Sequence, residues 1–266
     1  MKQSQAKKHD NTMTNKILMR LIALVLGLLF LEILIIHSKN EQQKSVSNQV
    51  QTARIMANGD LLYHDGLYMS ALQADGSYDF TENFTYVKPW LKQADLVLGD
   101  FEGTINPDYP LSGYPLFNAP QSVTAAISDA GYDVMDLAHN HILDSGLEGA
   151  FTTADAFKEV GIDPVGVYEN PVRDKAPLFI KNVNGIKVAI LSYAYGFNGL
   201  ESNLTEKEIA NHLSNLDEKR MKVEIERAEK EADVTVIMPQ MGVEYRLEPT
   251  DEQVKLYHKM IDWGAD

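Results

Sequence analysis

The sequence is organised around one polar segment, Ala138-His139-Asn140-His141-Ile142-Leu143-Asp144-Ser145-Gly146. It follows an apolar stretch, 132–137, that is typical of a strand, and it precedes a helix-like run, 147–160. Ligands bind in open α/β sheets where strands end and helices begin. Imidazole, amide and carboxylate groups together suit zinc or another divalent transition metal. A plainer interpretation is that Asn140 or Asp144 caps the helix and the histidines are surface residues.

Polar side chains recur at the ends of other strand-like segments. Segment 53–58 leads into Gly59-Asp60, segment 95–98 leads into Asp100 and Glu102, and segment 234–238 leads into Gln240 and Glu244. Unrelated surface loops are not expected to place oxygen and nitrogen ligands at one strand end after another. The pattern is typical of two-metal hydrolases, in which two cations about 3.5–4 Å apart lower the pKa of a water and clamp a phosphoryl group. Any single acid in this set could instead be a helix cap.

Strand-like and helix-like segments alternate from residue 52 to residue 266, and this alternation predicts a layered α/β domain. An Asn184-Gly185 pair predicts a hairpin turn between two of the strands. Residues 199–216 are polar, and we interpret them as a lid or excursion. The predicted helices are 61–72, 84–94, 122–130, 147–160, 217–231 and 250–263, and the predicted strands are 53–58, 95–98, 134–137, 165–168, 177–181, 186–192 and 234–238.

The N-terminal part of the chain predicts a membrane anchor. Residues 1–16 form a polar tail with four lysines, and residues 17–36 are apolar except for Arg20 and Glu32 near the two ends. About 20 apolar residues span a bilayer, and lysines before the span place the N-terminus in the cytoplasm. A cleaved signal peptide is the alternative, but its apolar region is usually only about 7–15 residues long. Residues 37–51 are polar and predict a flexible tether, so we expect a single-pass cell-membrane protein with an extracellular domain.

Charge and composition exclude several classes of function. Residues 1–51 carry seven Lys/Arg and three Asp/Glu, hence +4, whereas residues 52–266 carry 17 and 35, hence −18. A domain this acidic has no basic surface for nucleic acid, and it attracts cations. The chain contains no cysteine, which excludes disulfides, thiolate metal sites and a cysteine nucleophile.

Four of these segments together resemble the CapA family, the capsule or poly-γ-glutamate biosynthesis proteins of bacteria. The family is a branch of the calcineurin-like metallophosphoesterase superfamily, and the resemblance covers residues 52–266 with the motifs in the same order. The segments are Gly59-Asp60, Gly99-Asp100-Phe101-Glu102-Gly103, the 138–146 segment and Gly242-Val243-Glu244-Tyr245.

The resemblance implies a metallophosphoesterase-like fold and a role for each matching residue. Asp60, Glu102 and Asn140 become ligands of one or two divalent ions of the manganese, zinc or iron type. His141 becomes the catalytic residue that polarises or protonates the leaving group. His139 and Asp144 become supporting residues that orient His141 or cap the following helix, and His64, Gln240 and Glu244 are further candidates.

Two departures from the family pattern affect these expectations. Many members have His-Trp-Gly-x-Glu-Tyr where this chain has 240–245, so Gln240 replaces a potential imidazole ligand by a weaker neutral oxygen. The superfamily also closes its site with a later Gly-x-His-x-His motif. The chain ends at Asp266 before such a motif, and we therefore expect a truncated domain.

Two functions follow from the resemblance. The first is a membrane-anchored protein of capsule or poly-γ-glutamate synthesis with a metal-dependent phosphoesterase site. The second is a non-enzymatic assembly or export component of the polymer synthase complex, with a degenerate metal site. Both imply synthase subunits as partners and an anionic polymer or phosphoester as ligand, whereas a lectin-like adhesion module would not need polar ligands at the strand ends.

Overall fold

A computed structural model describes residues 19, 24–39 and 50–266. The chain divides into two units, Met1–Gln51 and Thr52–Asp266. In the first unit residues 24–39 are helical. The part of the chain that is described contains no helix with both the length and the apolar content needed to cross a bilayer. The predicted tail, 1–16, lies outside the described residues, as do parts of the predicted anchor, 17–36, and tether, 37–51.

The second unit contains two β-sheets. The first sheet is parallel, in the order β1-β2-β3-β4, and the second has the order β5-β6-β7 with an antiparallel β5–β6 hairpin and a parallel β6–β7 pair. The strands are β1 Ile55–Asp60, β2 Leu96–Asp100, β3 Val134–Asp136, β4 Asp163–Val165, β5 Ile180–Val183, β6 Ile186–Ala194 and β7 Val234–Gln240. The helices are α1 Asp65–Ser70, α2 Lys88–Leu91, α3 Val123–Ala130, α4 Gly146–Glu159, α5 Glu206–His212, α6 Glu218–Glu231 and α7 Asp251–Trp263.

The two sheets pack face to face. Successive side chains of a strand point to opposite faces, so each strand can contact the other sheet on one face and the helices on the other. In β2, Leu96 and Leu98 contact the inner face of the second sheet, in one apolar cluster with Val188 and Ile190. Val97, between them, points outward into the cluster that α3 and α4 cover. On the far side, β6 contributes to a third cluster with α6 and α7. The domain therefore has four layers, helices, sheet, sheet and helices, and the layered α/β prediction is confirmed.

Several predicted elements were wrong in extent. The helix expected over 61–72 is only Asp65–Ser70, because Leu61 still pairs with β2 through a hydrogen bond from its N–H to the Asp100 carbonyl at 2.7 Å. The helix expected over 84–94 is a short 3₁₀ turn, Thr81–Phe84, followed by α2. Pro89 lies in the first turn of α2, the position that tolerates its missing N–H, so the helix restarts there.

Two other regions also differ from the prediction. The strand expected at 165–168 is Asp163–Val165, in register with β3. The polar excursion expected at 199–216 contains a 3₁₀ turn, Leu200–Asn203, and helix α5. A capping box made by Thr205 and Glu208 starts α5, which explains how so polar a segment becomes helical.

Candidate metal centre

A bulge in β1 brings Asp60 beside Asp100. Ala57 pairs with Leu98 and Asp60 pairs with Asp100, so β1 advances three residues while β2 advances two. An extra residue of this kind shifts the register of everything that follows it. On the next strand Asp136 is the register partner of Asp100. The ends of three parallel strands therefore carry a row of aspartates.

Glu102 completes a cluster of carboxylates at this edge of the sheet. One oxygen each from Asp60, Asp100 and Glu102 can be chosen so that all three lie within 4.8 Å of one another. Asp100 and Glu102 are buried, whereas Asp60 is exposed. Among the described residues, no other group of three or more His, Cys, Asp or Glu side chains lies close enough together to hold a metal ion.

Burial and mutual repulsion raise the pKa values of the carboxyl groups in the cluster. The pKa of Asp100 is raised to about 10, first by burial and then by the charges of Asp136, Asp60 and Glu102. The pKa of Glu102 is raised to about 8, again mainly by burial, with Asp60 as the next cause. The pKa of Asp136 is raised to about 7 by burial. A cation bound between these carboxylates would offset their mutual repulsion and stabilise their ionised form.

These residues fit a hard divalent cation. The Oδ1 atom of Asp100 is buried and has no hydrogen-bond partner among the described residues, so it remains free to bind an ion. The three clustered donors are all carboxylate oxygens, which suit Mg²⁺, Mn²⁺ or Ca²⁺. Zinc and iron prefer sites that include imidazole or thiolate ligands. Of the ion types expected from the sequence, manganese fits this cluster best.

The carboxylates line a cleft of about 550 Å³. Its walls come from the ends of β1, β2 and β3 in the first sheet and from β7 with its following loop in the second. The cleft brings together most of the residues singled out in the sequence, namely Asp60, Glu102, Asn140, Gln240 and Glu244. It also includes Asp100 and Asp136, which sequence reasoning did not assign as ligands, and Tyr195.

His141 is held by Asp144 beside the carboxylate cluster. The Nδ1 atom of His141 lies 2.7 Å from Asp144 Oδ2, which also accepts a hydrogen bond from the backbone N–H of Phe117 at 2.6 Å. This pairing places the ring proton on Nδ1 and leaves Nε2 facing Glu102, whose Oε1 lies 3.9 Å away. Asp144 does not cap α4, because Ser145 occupies the N-cap position without a side-chain hydrogen bond.

Asn140 is held by two further amides. Gln240 Oε1 accepts a hydrogen bond from the Asn140 backbone N–H at 2.7 Å, and Gln240 Nε2 donates to Asn140 Oδ1 at 2.8 Å. Asn140 Nδ2 donates to Asn198 Oδ1 at 3.1 Å. Asn198 was missed in the sequence, although the Asn198-Gly199 pair that follows β6 is a turn signal.

The three predicted histidines, His64, His139 and His141, are not among the residues that line the cleft. His64 is exposed, and its ring packs edge-to-face on Phe117, which packs in the same way on His141. His139 is completely buried. Burial, followed by the nearby His141, lowers the pKa of His139 to about 3, so this ring is neutral at physiological pH.

The family assignment follows from a match over the whole second unit. A family model described as bacterial capsule synthesis protein PGA_cap matches residues 54–266. The chain belongs to this family. The resemblance to CapA proteins seen in the motifs is therefore confirmed.

Two curated relatives are named as biosynthesis proteins, one of a capsule and one of PGA. The capsule biosynthesis protein CapA of Bacillus anthracis is 33% identical over 192 residues, which cover 69% of this chain and 46% of that protein. The PGA biosynthesis protein CapA of Bacillus subtilis (strain 168) is 26% identical over 263 residues, which cover 97% of this chain and 67% of that protein. The matches thus span about half to two thirds of the length of these relatives.

A solved structure overlaps more loosely. A candidate 5′-nucleotidase from Staphylococcus aureus, in complex with alpha-ketoglutarate, is similar over 79% of this chain and 42% of that chain. The sequence identity is 14% and the TM-score is 0.48. An overlap at this level does not establish a shared fold or a shared activity, so the relation to metallophosphoesterases stays a prediction.

Proposed function

We propose that this protein takes part in the synthesis of an anionic bacterial capsule polymer of the poly-γ-glutamate type, and that its cleft hydrolyses a phosphoester with the help of a bound divalent cation. Family membership and the two CapA relatives support the biological role. The reaction rests mainly on one observation: Glu102, a member of the carboxylate cluster with Asp60 and Asp100, lies 3.9 Å from the Nε2 atom of His141, which the buried Asp144 holds in place.

Each part of the cleft has a chemical task in this proposal. Asp60, Asp100 and Glu102 would hold the cation, which would supply positive charge for a phosphoryl oxygen of the substrate. Nε2 of His141 would accept a proton from the attacking water as the water oxygen bonds to phosphorus. It would pass that proton to the leaving oxygen as the P–O ester bond breaks, and Asp144 keeps the ring in the orientation that these transfers need. Asn140 and Gln240 line the same cleft, and their two hydrogen bonds hold the 138–146 segment in place.

We also propose the setting in which the domain works. The apolar segment 17–36 anchors the protein in the cell membrane with residues 1–16 in the cytoplasm, and the domain lies outside the cell among the polymer synthase subunits. The charge of −18 on residues 52–266 argues against nucleic acid as a ligand. It also means that contact with a polyanionic polymer requires cations at the contact.

The second candidate is a non-enzymatic assembly or export component. One observation favours it: Gln240 satisfies both the backbone N–H and the side-chain oxygen of Asn140, so that oxygen is already engaged by an amide. In this case the cation would link the domain to the polymer without hydrolysis.

An assay of the full chain separates the two candidates. We expect Mn²⁺-dependent cleavage of p-nitrophenyl phosphate that is lost in Asp100→Asn and His141→Ala. Asp155→Asn is the control, because Asp155 is an exposed carboxylate that pairs only with Lys158 among the described residues. The same variants are then expressed in a capsule-forming host that lacks the wild-type protein. If both cleft variants restore full capsule production, the hydrolase proposal is wrong.

A further inference from the structure

We infer that Asn198 is a positioning residue for His141, and that it is the last member of a directed chain of amide hydrogen bonds that crosses from the second sheet to the first. This inference rests on the proposed function for its catalytic consequence. Its structural part, the orientation of the His141 ring, stands independently of that function.

The direction of the chain is fixed at its start. The backbone N–H of Asn140 can only donate, so the amide atom of Gln240 that faces it at 2.7 Å must be the oxygen, Oε1. The other end of the same amide, Nε2, then donates to Asn140 Oδ1 at 2.8 Å. Asn140 is left with Nδ2 as a donor, and Nδ2 donates to Asn198 Oδ1 at 3.1 Å. One backbone group therefore determines the orientation of three successive amides.

The chain ends at the imidazole of His141. Because Asn198 Oδ1 is used by Asn140, the amide group that faces the ring is Nδ2, which lies 3.4 Å from both ring nitrogens. His141 Nδ1 is 2.7 Å from Asp144 Oδ2 and donates its proton there. Because Asn198 Nδ2 is equally far from both ring nitrogens, it lies over the ring between them and not on the axis of either lone pair. Asp144 thus holds the ring at Nδ1, and the Asn198 amide packs against the ring and limits its rotation.

The backbone around Asn198 is built to present this amide. Asn198 has φ of 54°, in the left-handed region that asparagine tolerates better than most residues, and Gly199 follows with φ of 81°. On the preceding side Phe197 is 2% exposed and anchors the turn in the core. The backbone N–H of Tyr195 donates to the Gln240 carbonyl at 3.0 Å, which ties this loop to the start of the chain of amides. Asn198 itself is exposed, so its side chain contributes little apolar burial, and its defined contacts are the two polar ones.

The test compares two asparagines in the same backbone conformation. Asn198→Gly removes the amide and keeps the left-handed turn without strain. Asn184→Gly is the matched control, because Asn184 also has φ of 54° but lies in the β5–β6 hairpin, where its amide donates to the Thr52 carbonyl. Asn198→Asp keeps the shape and the Oδ1 acceptor but cannot donate to the ring. All are made in the full chain, purified in a mild detergent with ¹⁵N-labelled histidine rings.

We expect Asn198→Gly to shift the ring ¹⁵N signals of His141 and to lower kcat about tenfold, the loss of roughly one hydrogen bond, with KM and Mn²⁺ affinity unchanged. Asn198→Asp should also shift the His141 ring signals, and Asn184→Gly should change neither those signals nor kcat. Unaltered His141 signals in Asn198→Gly would overturn the inference. So would loss of Mn²⁺ binding or of folding in that variant, because Asn198 would then be structural. If the wild type has no phosphoesterase activity the proposed function fails, and the ring signals still decide the role of Asn198.

Discussion

Gln240 holds Asn140 by two hydrogen bonds, one to its backbone N–H and one to its side-chain oxygen. This pair joins the end of β7 in the second sheet to the segment that follows β3 in the first. In the sequence Gln240 stands where many family members have a histidine, and it was interpreted as a weakened metal ligand. In the structure its two hydrogen bonds to Asn140 connect the two sheets across the cleft, and we call this Gln240–Asn140 pair the clamp.

The clamp makes a prediction for stability. Gln240→Ala leaves the buried Asn140 without two partners, so we expect the free energy of unfolding to fall by about 1–3 kcal/mol. Gln93→Ala is the control, since Gln93 is exposed and its amide bonds only to the Pro89 carbonyl among the described residues. Urea unfolding monitored by circular dichroism measures both variants. Equal losses in the two variants would show that the clamp adds no stability.

The raised pKa values of Glu102 and Asp100 predict how stability depends on pH. In the unfolded chain these groups lose their protons near pH 4, whereas in the folded, metal-free chain they keep them up to about pH 8 and 10. The unfolded state therefore binds fewer protons above pH 4, and stability falls as the pH rises through these values. His139 acts in the opposite direction only below about pH 6.5, because its lowered pKa makes stability rise between about pH 3 and 6.5.

Between pH 7 and 9 the effect of Asp100 and Glu102 on stability can therefore be measured without a contribution from His139. We expect the metal-free protein to lose stability across this range, and Asp100→Asn to lose less, because the amide has no proton to release. Urea unfolding in the presence of a chelator at each pH gives the two slopes. A wild-type stability that is flat or rises between pH 7 and 9 would show that the cluster is not protonated as described.

The pairing of Asp144 with His141 predicts a separate effect on catalysis. Asp144→Ala removes the acceptor of the Nδ1 proton, so the ring loses the contact that points Nε2 toward Glu102. We expect kcat for p-nitrophenyl phosphate to fall about a hundredfold, the usual scale for a misplaced general acid, while Mn²⁺ affinity stays within a few-fold of wild type. Asp108→Ala, at an exposed position on the 103–119 loop, serves as the control. An Asp144→Ala enzyme with normal kcat would show that catalysis does not depend on the pairing of Asp144 with His141.

The sequence predicted the parts of the site that depend on single strands. Asp60, Glu102 and Asn140 come at the ends of β1, β2 and β3, and they line the cleft because the carboxyl ends of parallel strands meet at one edge of the first sheet. Gln240 lines the same cleft from the end of β7 in the second sheet. The neighbourhood of Asp60 and Asp100 could not be predicted, since it depends on a bulge that shifts the register by one residue and leaves no distinct pattern in β1. The 99–103 motif contains both Asp100 and Glu102. Without the register of β1 on β2, the sequence does not show that both carboxylates belong to the cluster.

The contribution of the second sheet was harder to foresee. The Asn184-Gly185 hairpin was predicted, but its packing against the first sheet depends on contacts between residues far apart in the chain, such as Leu98 and Ile190. The position of Asn198 beside His141 follows from that packing. Its sequence signal, a single Asn-Gly pair, indicates a turn and nothing about what the turn approaches.

Calorimetric titration of the full, metal-free chain with Mn²⁺ at pH 7 tests the central claim most directly. We expect saturable binding with release of protons, because Asp100 and Glu102 have pKa values of about 10 and 8 before a cation binds. Repeating the titration in buffers of different ionisation enthalpy counts those protons. Asp100→Asn should weaken binding at least tenfold, about 1.4 kcal/mol, while Asp155→Asn leaves it unchanged. Binding of equal strength in wild type and Asp100→Asn, or no binding and no proton release in the wild type, would contradict a cation site at the cluster of Asp60, Asp100 and Glu102.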